Sequence, residues 1–170
     1  MQLFSTEGKE IMRAGADITG KNNIKGQATF IEYQFGTQTL LKILVTLSGD
    51  PTFLKPGLHA VHIHEKGTCE GEFKCAGGHF DPGPAGNSDP DVNHPFHAGD
   101  LPNIVIDETG NGTLEAVTTR VTLSEGPLCI LSGEGSALMI HANEDPYRGG
   151  EHMSGVSGGP RLACGIIKKV

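Results

Sequence analysis

At 170 residues the chain is long enough to bury a core without a metal staple, since roughly 70% of the surface of an unfolded chain this size leaves the water on folding. Thirteen Lys and Arg against 20 Asp and Glu leave a net charge of -7, with no basic block to follow a phosphate backbone. That balance argues against nucleic acid and against an anionic membrane surface as partners. No apolar run approaches the length of a membrane span, and Met1-Gln2-Leu3-Phe4-Ser5 lacks the charged start and apolar centre of a secretory signal.

Thr29, Ile31, Tyr33 and Phe35 share one face opposite Glu32 and Gln34, which predicts a strand. After a turn signal at Gly36-Thr37-Gln38, Leu41, Ile43, Val45 and Leu47 alternate with Lys42 and Thr46, the period of a half-buried strand. Gly49-Asp50-Pro51 marks the next turn, and Val61 and Ile63 then oppose His62 and His64. Residues 66–96 are rich in Gly, Pro, Asn and Asp, carry further histidines and resist strand assignment. Turn residues recur at 107–112 and 132–135, followed by a strand in which Leu138 and Ile140 oppose Met139 and His141. A second long loop is expected over 143–160. No long amphipathic helix is visible, so short strands joined by the turns that 25 glycines and 10 prolines supply predict an all-β antiparallel sandwich or barrel.

Six candidate ligands fall between His62 and Asp100: His62, His64, His79, His94, His97 and Asp100. Any one of eight histidines could be an ordinary surface or core residue. As a cluster they are more than that, because residues i and i+2 on a strand project from one face and His62 and His64 therefore converge. Imidazole suits zinc and copper, and a lone carboxylate among histidines suits zinc, so the candidates divide into an all-histidine set and a histidine-plus-aspartate set. Two metal ions are expected. Metal binding would also offset the entropy of ordering the loops. The four cysteines, Cys69, Cys75, Cys129 and Cys164, lack zinc-knuckle spacing and allow three pairings, with disulfides or buried thiols favoured over ligation.

Five blocks, Gly57-Leu58-His59-Ala60-Val61-His62-Ile63-His64-Glu65, Gly78-His79-Phe80-Asp81-Pro82, His97-Ala98-Gly99-Asp100-Leu101, Met139-Ile140-His141 and Gly159-Pro160-Arg161-Leu162-Ala163-Cys164-Gly165, stand in an order and spacing that resembles the bacterial-type copper,zinc superoxide dismutases. The resemblance runs from Ile24 to Val170 and implies a single domain over 1–170. Its fold would be a Greek-key β-barrel or immunoglobulin-like sandwich of about eight strands with two long functional loops, an architecture for which this family is a standard example.

The resemblance further implies one copper per chain on His62, His64, His79 and His141, and one zinc on His79, His94, His97 and Asp100, with His79 bridging. Many family members carry the middle zinc histidine about nine residues after the bridge, where this chain has Asn87 and Ser88, so His94 takes that place through its His-Pro-x-His setting. Asp145 matches a carboxylate that links copper and zinc ligands from behind, and His59, of opposite strand parity to His62 and His64, is read as a supporting histidine. Arg161 matches an arginine beside the open copper position that docks a small anion, and Cys69 with Cys164 matches the family disulfide. Cys75 and Cys129 have no family role; a second disulfide and two free buried thiols both remain open.

The activity implied is superoxide dismutation by Cu(II)/Cu(I) cycling, giving dioxygen and hydrogen peroxide, with His79 handling a proton. Family members occur as monomers and as homodimers. The Cys69 placement favours a periplasmic or secreted enzyme whose signal is absent from this sequence, with the cytosol as the other compartment. Two other readings stand beside it. A mononuclear cupin-type enzyme would use the His-x-His pair with Glu65 or Glu70 but leaves His97, Asp100 and Arg161 unexplained, and a noncatalytic dismutase-like domain would deliver or store copper.

Overall fold

The computed structural model describes residues 8–84 and 86–170. Its strands are β1 (Lys9–Gly20), β2 (Lys25–Phe35), β3 (Gln38–Ser48), β4 (Gly57–His59), β5 (Val61–His64), β6 (Ile104–Ile106), β7 (Asn111–Thr118), β8 (Ala137–His141), β9 (Arg161–Ile166) and the two-residue β10 (Lys168–Lys169). All pairings between them are antiparallel, in the order β4-β6-β7-β3-β2-β1-β9-β8-β5, with β10 added beside β1. The two ends of that order, β4 and β5, are separated in the chain by Ala60 alone, so the sheet curls until its edges meet in a nearly closed barrel. Closure of this kind removes most of the exposed edge that an open sheet would offer to aggregation.

Local chemistry explains the long strands. Leu41, Ile43, Val45 and Leu47 of β3 all enter the core, as their alternation predicts. The turn from β2 to β3 takes two residues between paired Phe35 and Gln38, with Gly36 at φ 61°, a value that a first-position hairpin glycine reaches without steric cost. In β2 the structure corrects the expected face: Ala28, Phe30 and Glu32 point inward, whereas Thr29 and Tyr33 are half-buried and Phe35 is exposed. Ile31 is buried nonetheless, on the other side of the strand from Phe30.

Glu32 misleads the reading of β2 because a buried carboxylate is rare unless it is hydrogen-bonded. Its oxygens accept the backbone N–H groups of Leu123 (3.0 Å) and Ser124 (2.7 Å) and the Ser124 hydroxyl (2.9 Å). It thereby pins the strandless stretch 119–136 beside the barrel, where Val121, Leu123 and Ile130 join the core. The two loops expected over 66–96 and 143–160 hold no strand.

Strands β5 and β8 carry apolar residues on one face, with Val61, Ile63, Leu138 and Ile140 in the core, yet both of their faces are buried. The loops cover the second face. Cys69 and Cys164 form a disulfide, while Cys75 is free and exposed and Cys129 is free and buried. The pair of thiols is therefore reduced, and only Cys129 is buried. Replacing Glu32 by Ala strands two peptide donors, and we expect Glu32→Ala to lose about 2–3 kcal/mol of stability, read as a lower urea midpoint at unchanged metal content.

Candidate metal centre

The site begins with the free edge of β5. On one side β5 pairs with β8, and on the other its backbone groups are met by the long loop. Phe80 N–H donates to Ile63 O (2.8 Å), Ile63 N–H to Gly99 O (2.8 Å) and Leu101 N–H to Val61 O (3.3 Å). These contacts place His79 opposite His64 and Asp100 opposite His62 as single bridges. Gly99 permits the approach, because a Cβ there would lie 2.4 Å from Ile63 O. Across the sheet, a bulge between Ile140 and His141 puts His141 opposite Arg161 of β9. Bulges of this type re-aim a side chain at a site rim.

His62, His64, His79 and His141 come together with one ring nitrogen each within 4.8 Å of the others, all four residues being buried. His62 Nδ1 and the Nε2 atoms of His64, His79 and His141 have no hydrogen-bond partner, although buried polar atoms nearly always have one. The other nitrogens of three of these rings are engaged. His64 Nδ1 lies 3.0 Å from Gly77 O, His141 Nδ1 3.0 Å from Gly159 O and His62 Nε2 3.0 Å from the Asp145 carboxylate. Four inward nitrogens, three of them on rings held from behind, fit a bound metal, since ligating histidines hydrogen-bond through their second nitrogen.

A second group forms around Asp100. Its carboxylate oxygens lie 2.7 Å from His79 Nδ1, 2.9 Å from His97 Nδ1 and 3.3 Å from His94 Nδ1. His79 and His97 approach each other to 3.3 Å through Nδ1, so His79 faces both groups, one with each nitrogen. The four residues whose ligand atoms lie within 4.8 Å of one another here are His62, His79, His94 and Asp100; His62 Nε2 is also held by Asp145, and His97 stands beside Asp100 and His79 but outside that set of four. Behind the second group, His97 Nε2 meets Val92 O (3.0 Å) and His94 Nε2 meets Asp145 Oδ1 (2.7 Å). One Asp145 carboxylate thus holds a ring from each group.

Protonation equilibria separate the two groups. Burial pushes His64 and His141 well below the usual imidazole range, helped by neighbouring imidazoles and Arg161, and it lowers His62 despite Asp145. Burial likewise takes His79 down to about 3. At His94 burial opposes the charge, but Asp100 and Asp145 outweigh it and raise the group to about 9. His97 is raised in the same sense by Asp100, and both carboxylates are held below the ordinary range by the imidazoles around them, against the effect of burial.

Arg161 is half-buried, with its guanidinium donating to Phe73 O and to Gly77 O (2.6 Å), the carbonyl that also faces His64. It borders a pocket of about 230 Å³ shared with His141, Asp91, Met153 and Ser157. His59 stands outside both groups, its two ring nitrogens facing the carbonyl oxygens of His141 (2.8 Å) and Lys55 (2.7 Å). Glu65 and Glu70 also stand outside them; Glu65 accepts the Gly78 N–H (2.9 Å).

Two residues escaped the sequence reading. Asp91 accepts from Gly155 N–H, Ser157 N–H and the Ser157 hydroxyl, and so clasps the two long loops together. Asn103 brackets Asp145, accepting its N–H (2.8 Å) and donating to its carbonyl (2.9 Å). Neither carries a local signal, because an Asp or Asn in a loop more often bonds its own turn.

The family model described as copper/zinc superoxide dismutase matches residues 24–167. The chain belongs to the copper/zinc superoxide dismutase family. Among its relatives, the superoxide dismutase [Cu-Zn] of Deinococcus radiodurans is 38% identical, the alignment covering 96% of this chain and 87% of that one. Superoxide dismutase [Cu-Zn] 1 of Aquifex aeolicus is 35% identical over 98% of this chain and 94% of its own. The crystal structure of the clock protein EA4 superposes with a TM-score of 0.73 at 30% identity, covering 98% of this chain and 99% of that chain. Membership of the dismutase family displaces the cupin reading.

Two measurements test this arrangement. Asp145→Asn removes a charge that orients a ring in each group, and metal retention against a chelator should fall by about 10- to 100-fold for both ions. Because His94 holds a proton below about pH 9 in the metal-free protein, an ion entering the Asp100 group must expel it. Its apparent affinity should fall at least about tenfold per pH unit on acidification from pH 9, because His97 is raised as well, while the all-histidine group, already neutral, shows no such slope near pH 8. Proton release on metal addition, followed with an indicator dye, checks the difference.

Proposed function

We propose that in this superoxide dismutase His62, His64, His79 and His141 hold copper, that His79, His94, His97 and Asp100 hold zinc, and that Arg161 docks the substrate anion. The observation that carries the reading is the set of four buried, unpartnered ring nitrogens beside a carboxylate-bearing second group, with His79 facing both. Bound copper supplies the one-electron chemistry that converts two superoxide anions and two protons to dioxygen and hydrogen peroxide, while zinc, having no redox chemistry, orders the loop.

The side chains do the remainder. Hydrogen bonds from the rings of His64, His141 and His62 to Gly77 O, Gly159 O and the Asp145 carboxylate fix those three ring planes. His79 Nδ1 stays committed beside Asp100, which leaves Nε2 as the atom that takes up a proton and gives it to the departing peroxide. Asp91, by tying the two long loops together, holds the pocket wall next to His141. Arg161 presents a permanent positive charge at the pocket, its guanidinium oriented by two carbonyls. The reading takes residues 1–170 as one domain, supported by a sheet that runs from Lys9 to Lys169.

A net charge of -7 repels an anion at long range, so the local field at Arg161 must steer it. Superoxide dismutases are themselves the standard case of such steering. Arg161→Ala in the fully metal-loaded enzyme should slow superoxide consumption by roughly 10- to 100-fold, the worth of one charge-assisted contact. The wild-type rate should fall as ionic strength rises, and the variant should lose most of that salt dependence. Two bound metals without superoxide turnover would instead support the copper-handling reading.

A further inference from the structure

An anion funnel is a poor entrance for a cation. The guanidinium of Arg161 that attracts superoxide repels copper approaching the same pocket, the one whose wall includes His141. Recognition of the metal at that mouth therefore calls for donors that bind it without adding negative charge.

The rim carries such donors. Met153 lines the pocket with His141 and Arg161 and is 83% exposed, so its thioether is open to solvent at the rim. Its backbone sits at φ 61°, in the left-handed region that non-glycine residues adopt at a cost, often at functional positions. The neighbouring His152, 72% exposed, places its Nδ1 against the Asp89 carboxylate. Asp89 is itself fixed by the N–H groups of Asp91 and Val92. His152 thus shares with His62 a ring nitrogen anchored by a carboxylate, on a ring that is largely open to solvent.

We propose that Met153 Sδ and His152 Nε2 form a landing site for Cu(I) at the pocket mouth, from which the ion passes to His141 and into the buried histidine group. The assignment rests on the copper reading of that group. A thioether is a soft, neutral donor that favours Cu(I) over zinc and over hard cations, and imidazole binds it equally well. Transfer is ligand exchange alone: the bonds to Met153 and His152 break as bonds to the buried imidazoles form, and no electron changes hands. Superoxide, an anion, gains nothing from a thioether, so the loaded enzyme turns over without either residue.

The test uses zinc-loaded, copper-free protein given Cu(I) from a competing chelator under anaerobic conditions. Copper arrival is read from the histidine-bound Cu(II) EPR signal of samples reoxidised at set times. Met153→Leu keeps the size of the side chain, His152→Ala removes the imidazole, and the double variant removes both. Cu(I) loading should slow severalfold in each single variant and more in the double, with unchanged final copper content and unchanged dismutation once loaded. Loading of Met153→Leu from Cu(II) should match the wild type, because thioethers bind Cu(II) weakly. Equal Cu(I) rates in all four proteins would overturn the landing site and leave the buried copper group standing. Equal slowing with Cu(I) and Cu(II) in Met153→Leu would also overturn it, as a mere disturbance of the loop. A wild type that takes up no copper would remove the copper reading and the landing site together.

Discussion

A β-strand at the end of a sheet presents N–H and C=O groups that must find partners, and in this protein the unpaired side of β5 finds them in a loop. Three backbone bonds, to Phe80, Gly99 and Leu101, close that edge. Each satisfies a buried polar group whose loss would cost more than the bond itself contributes. The register they impose sets His79 and Asp100 against His64 and His62, and the chain between, which carries His94 and His97, has to cross the same face. The metal centre is thus a consequence of how a barrel edge is capped. Without those bonds the clustered imidazoles and the Asp100 carboxylate would sit on two separate segments with nothing to bring them together.

Once assembled, the centre is held by hydrogen bonds on the far side of the rings. Asp145 joins His62 to His94, while peptide carbonyls take His64, His97 and His141. The carbonyl of Gly77 serves both His64 and Arg161, so the orientation of that imidazole and the placing of the guanidinium share one atom. The Cys69–Cys164 disulfide ties the loop bearing Phe73 and Gly77 to the strand bearing Arg161. The guanidinium and its anchors are therefore constrained from both ends.

Legibility in the sequence followed the solvent. β3 alternates cleanly because one face meets the core and the other is largely open to water, and its apolar residues were readable as a strand. β2 was readable as a strand but not as to face, since Glu32 points inward with three donors supplied from 91 or more residues away. β1 escaped altogether: its core positions include Ala14 and Ala16, small residues that leave only a faint apolar period. Asp91 and Asn103 went unrecognised for a related reason, because their partners lie across loops and leave no trace in neighbouring residues.

By itself the sequence determined the all-β class, the two long loops, the density of imidazoles around His62-Ile63-His64 and, through five ordered motifs, the family. These features are local: alternation, turn residues and ligand spacing act over a few positions. Tertiary structure alone decided which nitrogen of each ring is free, which carbonyls hold the rings from behind, and that Cys75 and Cys129 stay unpaired, and it set the distances to the bridging His79 and the shared Asp145 that the resemblance implies. Those outcomes depend on the angle and depth at which distant segments meet, and both are fixed only when the barrel closes and its last edge is capped.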